Sequence, residues 1–197
     1  MAYQIVDMKC PNCGAQVDTG QNICTYCKNP VVISTFNSVY AMPLPMVSKY
    51  ASVYRNELAS NPDNSELGYS VAFCYLKLKL YDKANEAFKK ALEENFDNSE
   101  AFFYAAVSLL GGKKPFLMLR PVIDEIESYL NAANMIEPKG IYWYLLAYIK
   151  QDYFARKKFN TSPTYEEALS QAQALGLSDF DVNQLWEILS VPRPSEL

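Results

Sequence analysis

Residues 61–66 read Asn-Pro-Asp-Asn-Ser-Glu, and 34 positions later residues 95–100 read Asn-Phe-Asp-Asn-Ser-Glu. Between the two copies, apolar residues recur every three or four positions in two separate runs, which is the spacing of one face of an α-helix. The first run is Val71, Ala72 and Tyr75, and the second is Ala84, Phe88 and Ala91. The sequence therefore predicts a repeated unit made of two helices that pack on each other.

The flanking sequence predicts more helices of this kind. An amphipathic helix is expected over residues 46–58, and a second unit begins over 100–110. Residues 111–115, Gly-Gly-Lys-Lys-Pro, and the residues just after them favour a loop, which would account for eight extra residues in the repeat. A third unit is predicted over 141–153 and 165–175, with Ser162-Pro163 as a helix start and Gly176 as a stop.

The last predicted helix follows Ser178. Asp181 lies three residues after this serine, in the spacing of a capping box. An apolar stripe then runs along one face and consists of Val182, Leu185, Trp186 and Leu189. Such a helix is expected to cover the open end of a stack of helix pairs.

A 34-residue helix–turn–helix unit with small residues at these positions resembles the tetratricopeptide repeat (TPR) over residues 65–98. It departs from that pattern at Gly68, Ala72 and Phe96, where tryptophan, glycine and proline are usual. The resemblance implies a mainly α fold, a TPR-like α-solenoid of antiparallel helix pairs. This region is expected to span residues 46–197, after a linker over 36–45.

The TPR resemblance also implies a concave groove that binds a partner peptide or helix. The residues expected to line it are Tyr69, Phe73, Phe103, Val107, Tyr142, Leu145 and Ile149. Aromatic stripes at helical spacing are more often core, so burial is the alternative interpretation for each residue. The lysines and asparagines with which some TPRs clamp a terminal carboxylate are absent, because Tyr69 and Phe73 occupy two of those places. An apolar or aromatic partner segment is therefore favoured.

Four of the five cysteines lie within 18 residues, as Cys10-Pro-Asn-Cys13 and Cys24-Thr-Tyr-Cys27. Each CxxC turn places two thiolates on one side of a tight knuckle, and two knuckles form a closed tetrahedral metal site. A hairpin is expected to join residues 15–17 to 22–23, with 31–33 as a closing strand. Because four thiolates leave no open coordination position, the site is predicted to be structural rather than catalytic.

Residues 5–34 resemble the zinc-ribbon family, whose first knuckle is matched by Cys10 to Gly14. Lys28 stands where the second knuckle usually has glycine, and Asn29 is expected to take the left-handed conformation instead. The resemblance implies a small N-terminal β domain over residues 1–35 that holds one structural Zn²⁺. Two disulfides, a redox CxxC and an iron centre are the alternatives.

Composition excludes several chemistries. The chain of 197 residues contains no histidine, which removes imidazole bases, Ser-His-Asp catalysis and mixed Cys/His metal sites. The longest apolar run covers only residues 141–149, so no membrane span is predicted, and no secretion signal is visible. A cytoplasmic protein is expected. The net charge of −4, and a net charge of zero over residues 1–34, make nucleic acid an unlikely partner.

These observations predict a non-enzymatic protein–protein interaction adaptor or scaffold. The alternatives are a nucleic-acid-associated accessory factor that uses the zinc ribbon, and an unusual enzyme that works through Lys, Asp, Glu or Tyr. Two short basic loops offer a patch for phosphate or an acidic surface, with ordinary solvated loops as the alternative. They comprise Lys113, Lys114 and Arg120, and Arg156, Lys157 and Lys158.

Overall fold

The structure, a computed structural model, describes residues 5–195 and residue 197. It is mainly α-helical with a small two-stranded sheet near the N-terminus, as the sequence predicts. The chain divides into two compact units, Met1–Phe96 and Asp97–Leu197, and each is described by itself. Among the described helices, none is long and apolar enough to cross a membrane.

The N-terminal ribbon of unit 1 contains strands β1 (Asp7–Lys9) and β2 (Gln16–Asp18). They pair antiparallel, with Met8 opposite Val17, and both of these side chains are buried. A second, shorter pairing joins Ile23 to Pro30 through an isolated bridge. Each hairpin therefore closes around one CxxC knuckle.

The ribbon differs from the predicted one in how its segments pair. The expected hairpin between 15–17 and 22–23 is not formed, because β2 pairs back with β1 instead. The turn that begins at Asp18 links the two hairpins, and the Asp18 carboxylate accepts a hydrogen bond from Gly20 N–H at 2.9 Å. Residues 31–33 are not a strand. They form a buried connection to the helices, with Val31 and Ile33 fully covered.

The helices of unit 1 are α1 (Phe36–Tyr40), α2 (Leu44–Ser60), α3 (Ser65–Lys77) and α4 (Tyr81–Glu94). The segment expected to be a linker, 36–45, thus contains α1 and the start of α2, and it buries Phe36 and Val39. Helices α3 and α4 are antiparallel. Phe73 contacts Phe88 edge to face at 5.2 Å, and Gly68 lies against Ala91 on the next turns.

The ribbon is docked on the helices of its own unit. The Tyr54 hydroxyl donates to the Val31 carbonyl at 2.9 Å, and the Tyr50 hydroxyl donates to the Pro30 carbonyl at 3.1 Å. The Ser70 hydroxyl accepts from Ile33 N–H at 2.9 Å. These bonds satisfy main-chain groups that the short strands leave unpaired. The ribbon and helices α2 and α3 are therefore one folded body.

Unit 2 contains α5 (Ser99–Leu110), α6 (Arg120–Ile136), α7 (Gly140–Ile149), α8 (Tyr165–Ala174) and α9 (Asp179–Leu189). The loop predicted near 111–115 is present and ends in a 3₁₀ turn, Pro115–Leu117. The helix predicted over 141–153 ends as α-helix at Ile149 and continues as a π-helix, Lys150–Ala155. Helix α5 packs on α6, and α7 packs on α8, as antiparallel pairs, with Gly140 at the start of α7 lying against Ala172 near the end of α8.

The repeated Asn-Ser-Glu motif begins both α3 and α5. The Asn64 side chain accepts a hydrogen bond from Leu67 N–H at 3.0 Å, and the Asn98 side chain accepts from Ala101 N–H at 2.9 Å. An asparagine at this position satisfies an N–H group that has no partner within the helix. The 34-residue repetition is therefore a repetition of helix N-caps.

Two predicted helix starts need correction. Helix α8 does not start at Ser162-Pro163: its N-cap is Thr164, which forms a capping box with Glu167. Ser178 does occupy the N-cap position of α9, but its side chain makes no capping hydrogen bond. Helix α9 packs on other helices of unit 2, where Tyr104 donates to Gln184 at 3.2 Å. Gly176, with φ +80°, follows α8 as predicted.

Candidate metal centre and partner groove

The four cysteines of the two knuckles meet at one point of the ribbon. Their sulfur atoms all lie within 4.8 Å of one another, with 3.7 Å between Cys10 and Cys27 and 3.8 Å between Cys13 and Cys24. A disulfide would require a sulfur–sulfur distance of about 2.05 Å. A tetrahedral ion with metal–sulfur bonds of about 2.3 Å requires edges of about 3.8 Å. The cluster therefore has the dimensions of a four-thiolate metal site.

The two knuckles have the same backbone geometry. Cys10 N–H donates to the Ala15 carbonyl at 2.8 Å, and Cys24 N–H donates to the Asn29 carbonyl at 2.9 Å. The left-handed position of each turn is held by Gly14, with φ +79°, and by Lys28, with φ +61°. The expectation that Asn29 would take this conformation is wrong. Lys28 adopts it because the equivalent hydrogen bonds fix the turn at that residue.

Main-chain N–H groups of the second knuckle favour the thiolate form of its cysteines. Hydrogen bonds from Asn29 N–H and from the Asn12 side chain lower the pKa of Cys27 to about 6. The Cys27 N–H lowers the pKa of Cys24. In contrast, burial raises the pKa of Cys10 to about 11. Because a metal ligand must be deprotonated, the second knuckle is already prepared to bind a cation.

Helix α2 supplies two residues to this centre that the sequence did not indicate. The Lys49 ammonium donates to the carbonyl of Asn12, inside the first knuckle. Burial and the nearby thiolates of Cys10 and Cys27 raise the pKa of the Tyr50 hydroxyl well above its usual value. A cation and a neutral hydroxyl thus lie beside a cluster whose four thiolates would carry excess negative charge. Both residues come from a different segment of the chain, so residue spacing within the ribbon could not reveal them.

The seven residues predicted to line a partner groove are all in the helical core. Each is at most 4% exposed: Tyr69, Phe73, Phe103, Val107, Tyr142, Leu145 and Ile149. The Tyr69 hydroxyl donates to the Asn95 carbonyl, and the Phe103 ring lies 4.8 Å from the Tyr142 ring. These side chains contact the protein's own helices and present no surface to a partner.

A groove of about 360 Å³ does exist in unit 1, and it lies on a different face of α3. Gly68, Val71 and Tyr75 line it, whereas the sequence assigned Val71 and Tyr75 to the packing face. Tyr69 and Phe73 are therefore core residues, contrary to the prediction, whereas Val71 is buried as predicted and also forms part of the groove floor. The larger aromatic side chains explain this, because Phe73 packs against both Phe36 and Phe88 in the core.

The walls of this groove come from α2 and α4. Arg55 and Leu58 form one wall, and Ala87 and Ala91 lie low on the opposite wall. The upper edge of α4 carries charges of alternating sign, namely Lys83, Glu86, Lys90 and Glu94. The groove therefore has an apolar floor and a charged rim, which is the arrangement of a site that holds an amphipathic segment.

No protein-family model matches the chain, and no curated protein sequence matches it significantly. The cysteine cluster, the ribbon and the paired helices are therefore interpreted from their own geometry.

Proposed function

We propose that this chain is a non-enzymatic interaction adaptor. In this proposal one structural zinc ion holds the ribbon together, and the groove between α2, α3 and α4 binds a segment of a partner protein. The observation that carries it is the groove itself, which has an apolar floor and a charged rim. The absence of histidine from the chain removes the commonest general base and supports a binding role.

Zinc is the proposed ion because the donor set consists of four sulfurs at tetrahedral spacing. Thiolates are soft ligands that zinc accepts in closed structural sites, and such sites contribute directly to folding. Iron uses similar knuckles and is the alternative ion. With no open coordination position, either ion would act by joining the knuckles rather than by catalysis.

The helical part supports a TPR-like assignment through its pattern of capped helices. Asn64 and Asn98 begin equivalent helices 34 residues apart, which is the TPR period. TPR arrays bind segments of other proteins, and the first helix of one such unit, α3, supplies the floor of the proposed groove. Its floor favours an apolar side chain, and its rim favours a segment that carries charges of both signs.

The test is to place a charge in the groove. Ala87 is half-buried on the groove wall, so Ala87→Glu would introduce a carboxylate without replacing a core side chain. Proteins captured from the native host by the tagged wild-type chain are identified, and the affinity of the purified partner is then measured by calorimetry. We expect Ala87→Glu to weaken binding at least ~10-fold, since a longer, charged side chain would occupy the space in which the partner's apolar residue packs.

The matched control is Ala59→Glu, which adds the same charge on an exposed face of α2 outside the groove. This variant should bind the partner with wild-type affinity. Equal affinities for the two variants would exclude the groove as the binding site. The nucleic-acid alternative predicts a different result, namely a salt-sensitive shift of a labelled oligonucleotide that neither substitution affects. The net charge of zero on the ribbon makes this result unexpected.

A further inference from the structure

The two basic loops of unit 2, far apart in sequence, form one surface. Phe116 N–H donates to the Asp152 carboxylate at 2.8 Å, which joins the 3₁₀ turn to the π-helix. The Arg156 guanidinium lies 4.3 Å from the centre of the Phe116 ring, and the Lys157 ammonium lies 5.1 Å from it. We call residues 113–120 and 153–159 together the basic loop pair.

The basic loop pair exposes large apolar side chains. Leu117 is 70% exposed and Leu119 is 75% exposed, and Phe159 on the second loop is 49% exposed. Single exposed apolar residues are common on soluble proteins, but an exposed apolar cluster surrounded by cations indicates a binding surface. Leu117 and Leu119 lie one and three residues after Phe116, whose ring is contacted by Arg156 and Lys157.

The same surface carries positive charge that the protein does not neutralise. Residues 111–123 and 153–165 contain no aspartate or glutamate, although the chain as a whole has a net charge of −4. Arg120 pairs with Asp124, and Arg156 pairs with Asp152. Within the described part of the chain, no ion pair involves the four lysines of the loop pair: Lys113, Lys114, Lys157 and Lys158.

The loop pair is held in place by buried polar contacts. The Lys150 ammonium, 5% exposed, lies 2.6 Å from the Glu127 carboxylate and donates to the Thr161 hydroxyl at 2.5 Å. The Asp152 side chain is also 5% exposed, and it holds Phe116 in place by accepting the hydrogen bond from its N–H. A surface fixed in this way loses little conformational entropy when it binds.

We propose that the basic loop pair docks unit 2 on an anionic phospholipid surface. Leu117 and Leu119 enter the boundary between headgroups and acyl chains, and the four lysines contact the lipid headgroups. Peripheral membrane binding of this kind combines buried apolar area with attraction to anionic lipid. A nucleic acid would match the lysines but offers no apolar environment for the two leucines, so the combination favours lipid. The inference does not depend on the groove of unit 1.

The test measures binding of the full chain to vesicles by flotation. Vesicles of phosphatidylcholine mixed with phosphatidylserine should bind the protein, and vesicles of phosphatidylcholine alone should bind it far less. Lys113→Gln combined with Lys158→Gln removes one charge from each loop and should weaken binding on the order of 20-fold. Leu117→Ser combined with Leu119→Ser should weaken it at least ~10-fold.

The controls repeat these changes elsewhere. Lys79→Gln with Lys89→Gln removes two exposed charges from unit 1 outside the groove, and Met135→Ser with Ile136→Ser removes two exposed apolar side chains from α6. Both double control variants should bind vesicles as the wild type does, and circular dichroism should show that every variant is folded. Equal binding to both kinds of vesicle, or no binding, would overturn the proposal. If the double lysine variant lost vesicle binding and the double leucine variant did not, the proposal would also be overturned, and a polyanion would be indicated as the ligand.

Discussion

The ribbon and helix α7 show two ways of holding a segment of this chain in place. In α7, eight of ten residues are buried, so packing against neighbouring helices is the main contribution to its position. The ribbon has two strands of three residues, and only isolated side chains such as Met8 and Val17 are buried along them. A segment with so little core cannot offset the conformational entropy that folding costs it. In the proposed account, a metal ion bound by the cysteine cluster supplies the folding free energy that apolar packing does not, so the ribbon should be the metal-dependent region.

The largest effect that separates the two regions should come from Cys24→Ser. Loss of one ligand of the proposed zinc removes a contribution to folding on the order of 10 kcal/mol. We expect hydrogen exchange to show loss of amide protection across residues 5–34, while α7 and α8 stay protected. Protection should also fall in α2 and α3, because Tyr54 and Ser70 bond directly to the ribbon.

Cys74→Ala is the matched control for this experiment. Cys74 is fully buried in α3 outside the cluster, and burial raises the pKa of its thiol to about 12. This variant should keep its bound metal and its ribbon protection. Ribbon amides that stay protected in Cys24→Ser would show that the ribbon does not depend on the cluster.

A smaller effect compares glycines at two helix contacts. A methyl group on Gly140 would lie 2.7 Å from the Ala172 carbonyl oxygen and 3.0 Å from Leu177 N, both main-chain atoms. On Gly68 it would meet a single residue, Ala91, with its Cβ at 2.8 Å and its Cα at 3.6 Å. Gly140→Ala should therefore lower the free energy of unfolding by about 3 kcal/mol and Gly68→Ala by about 1 kcal/mol, as urea denaturation would measure. The reverse order would contradict the described packing of α7 on α8.

The two asparagine caps should have equal effects. Asn64→Ala and Asn98→Ala each remove a side-chain acceptor from a helix N-terminus and should each cost about 1 kcal/mol in thermal unfolding. Asn131→Ala, at an exposed position within α6, should be neutral or slightly stabilising because alanine favours helix. A cap substitution with as little effect as Asn131→Ala would show that the repeated motif does not act through capping.

The smallest effect is a pH dependence confined to unit 1. Burial raises the pKa of Glu66 from 4.5 to about 7, and its Oε2 is buried with no hydrogen-bond partner among the described residues. The folded state therefore favours the protonated carboxyl. Its contribution is fully present below pH 4.5 and is lost as the pH rises through about 7.

Glu66→Gln should remove this dependence. Relative to the wild type, it should gain about 1 kcal/mol of stability at high pH and little at low pH. Glu86→Gln, at an exposed position of α4, is the control and should keep the wild-type profile. The measurement is the difference in unfolding midpoint between each variant and the wild type across this pH range. If the unfolding midpoints of Glu66→Gln and the wild type changed with pH in parallel, the buried Glu66 carboxyl would not be the source of the pH dependence.

The ribbon and the helices also differ in how much of them the sequence could predict. The cysteine cluster was predictable because CxxC spacing is a local property, and the helices were predictable because apolar periodicity is local too. The face of α3 that lines the groove was not predictable. Val71 and Phe73 both lie on apolar stripes and both are buried, and only the contacts of Phe73 with Phe36 and Phe88 show that Phe73 is core while Val71 lines the groove.

Contacts between distant segments explain the other differences. Residues 31–33 have the composition of a strand, yet the hydroxyls of Tyr54 and Ser70 satisfy their main-chain groups in place of a neighbouring strand. The basic loop pair could be recognised from sequence only as two separate clusters. Phe116 and Asp152 join them across 36 residues, and no local pattern encodes that contact.

The central claim is that four thiolates hold one zinc ion and thereby fold the ribbon. X-ray absorption spectroscopy at the zinc edge, combined with elemental analysis of the purified chain, tests it most directly. We expect one zinc per chain with four sulfur neighbours at about 2.3 Å. Iron in place of zinc, sulfur–sulfur bonds between the cysteines, or a metal-free protein with an ordered ribbon would contradict it.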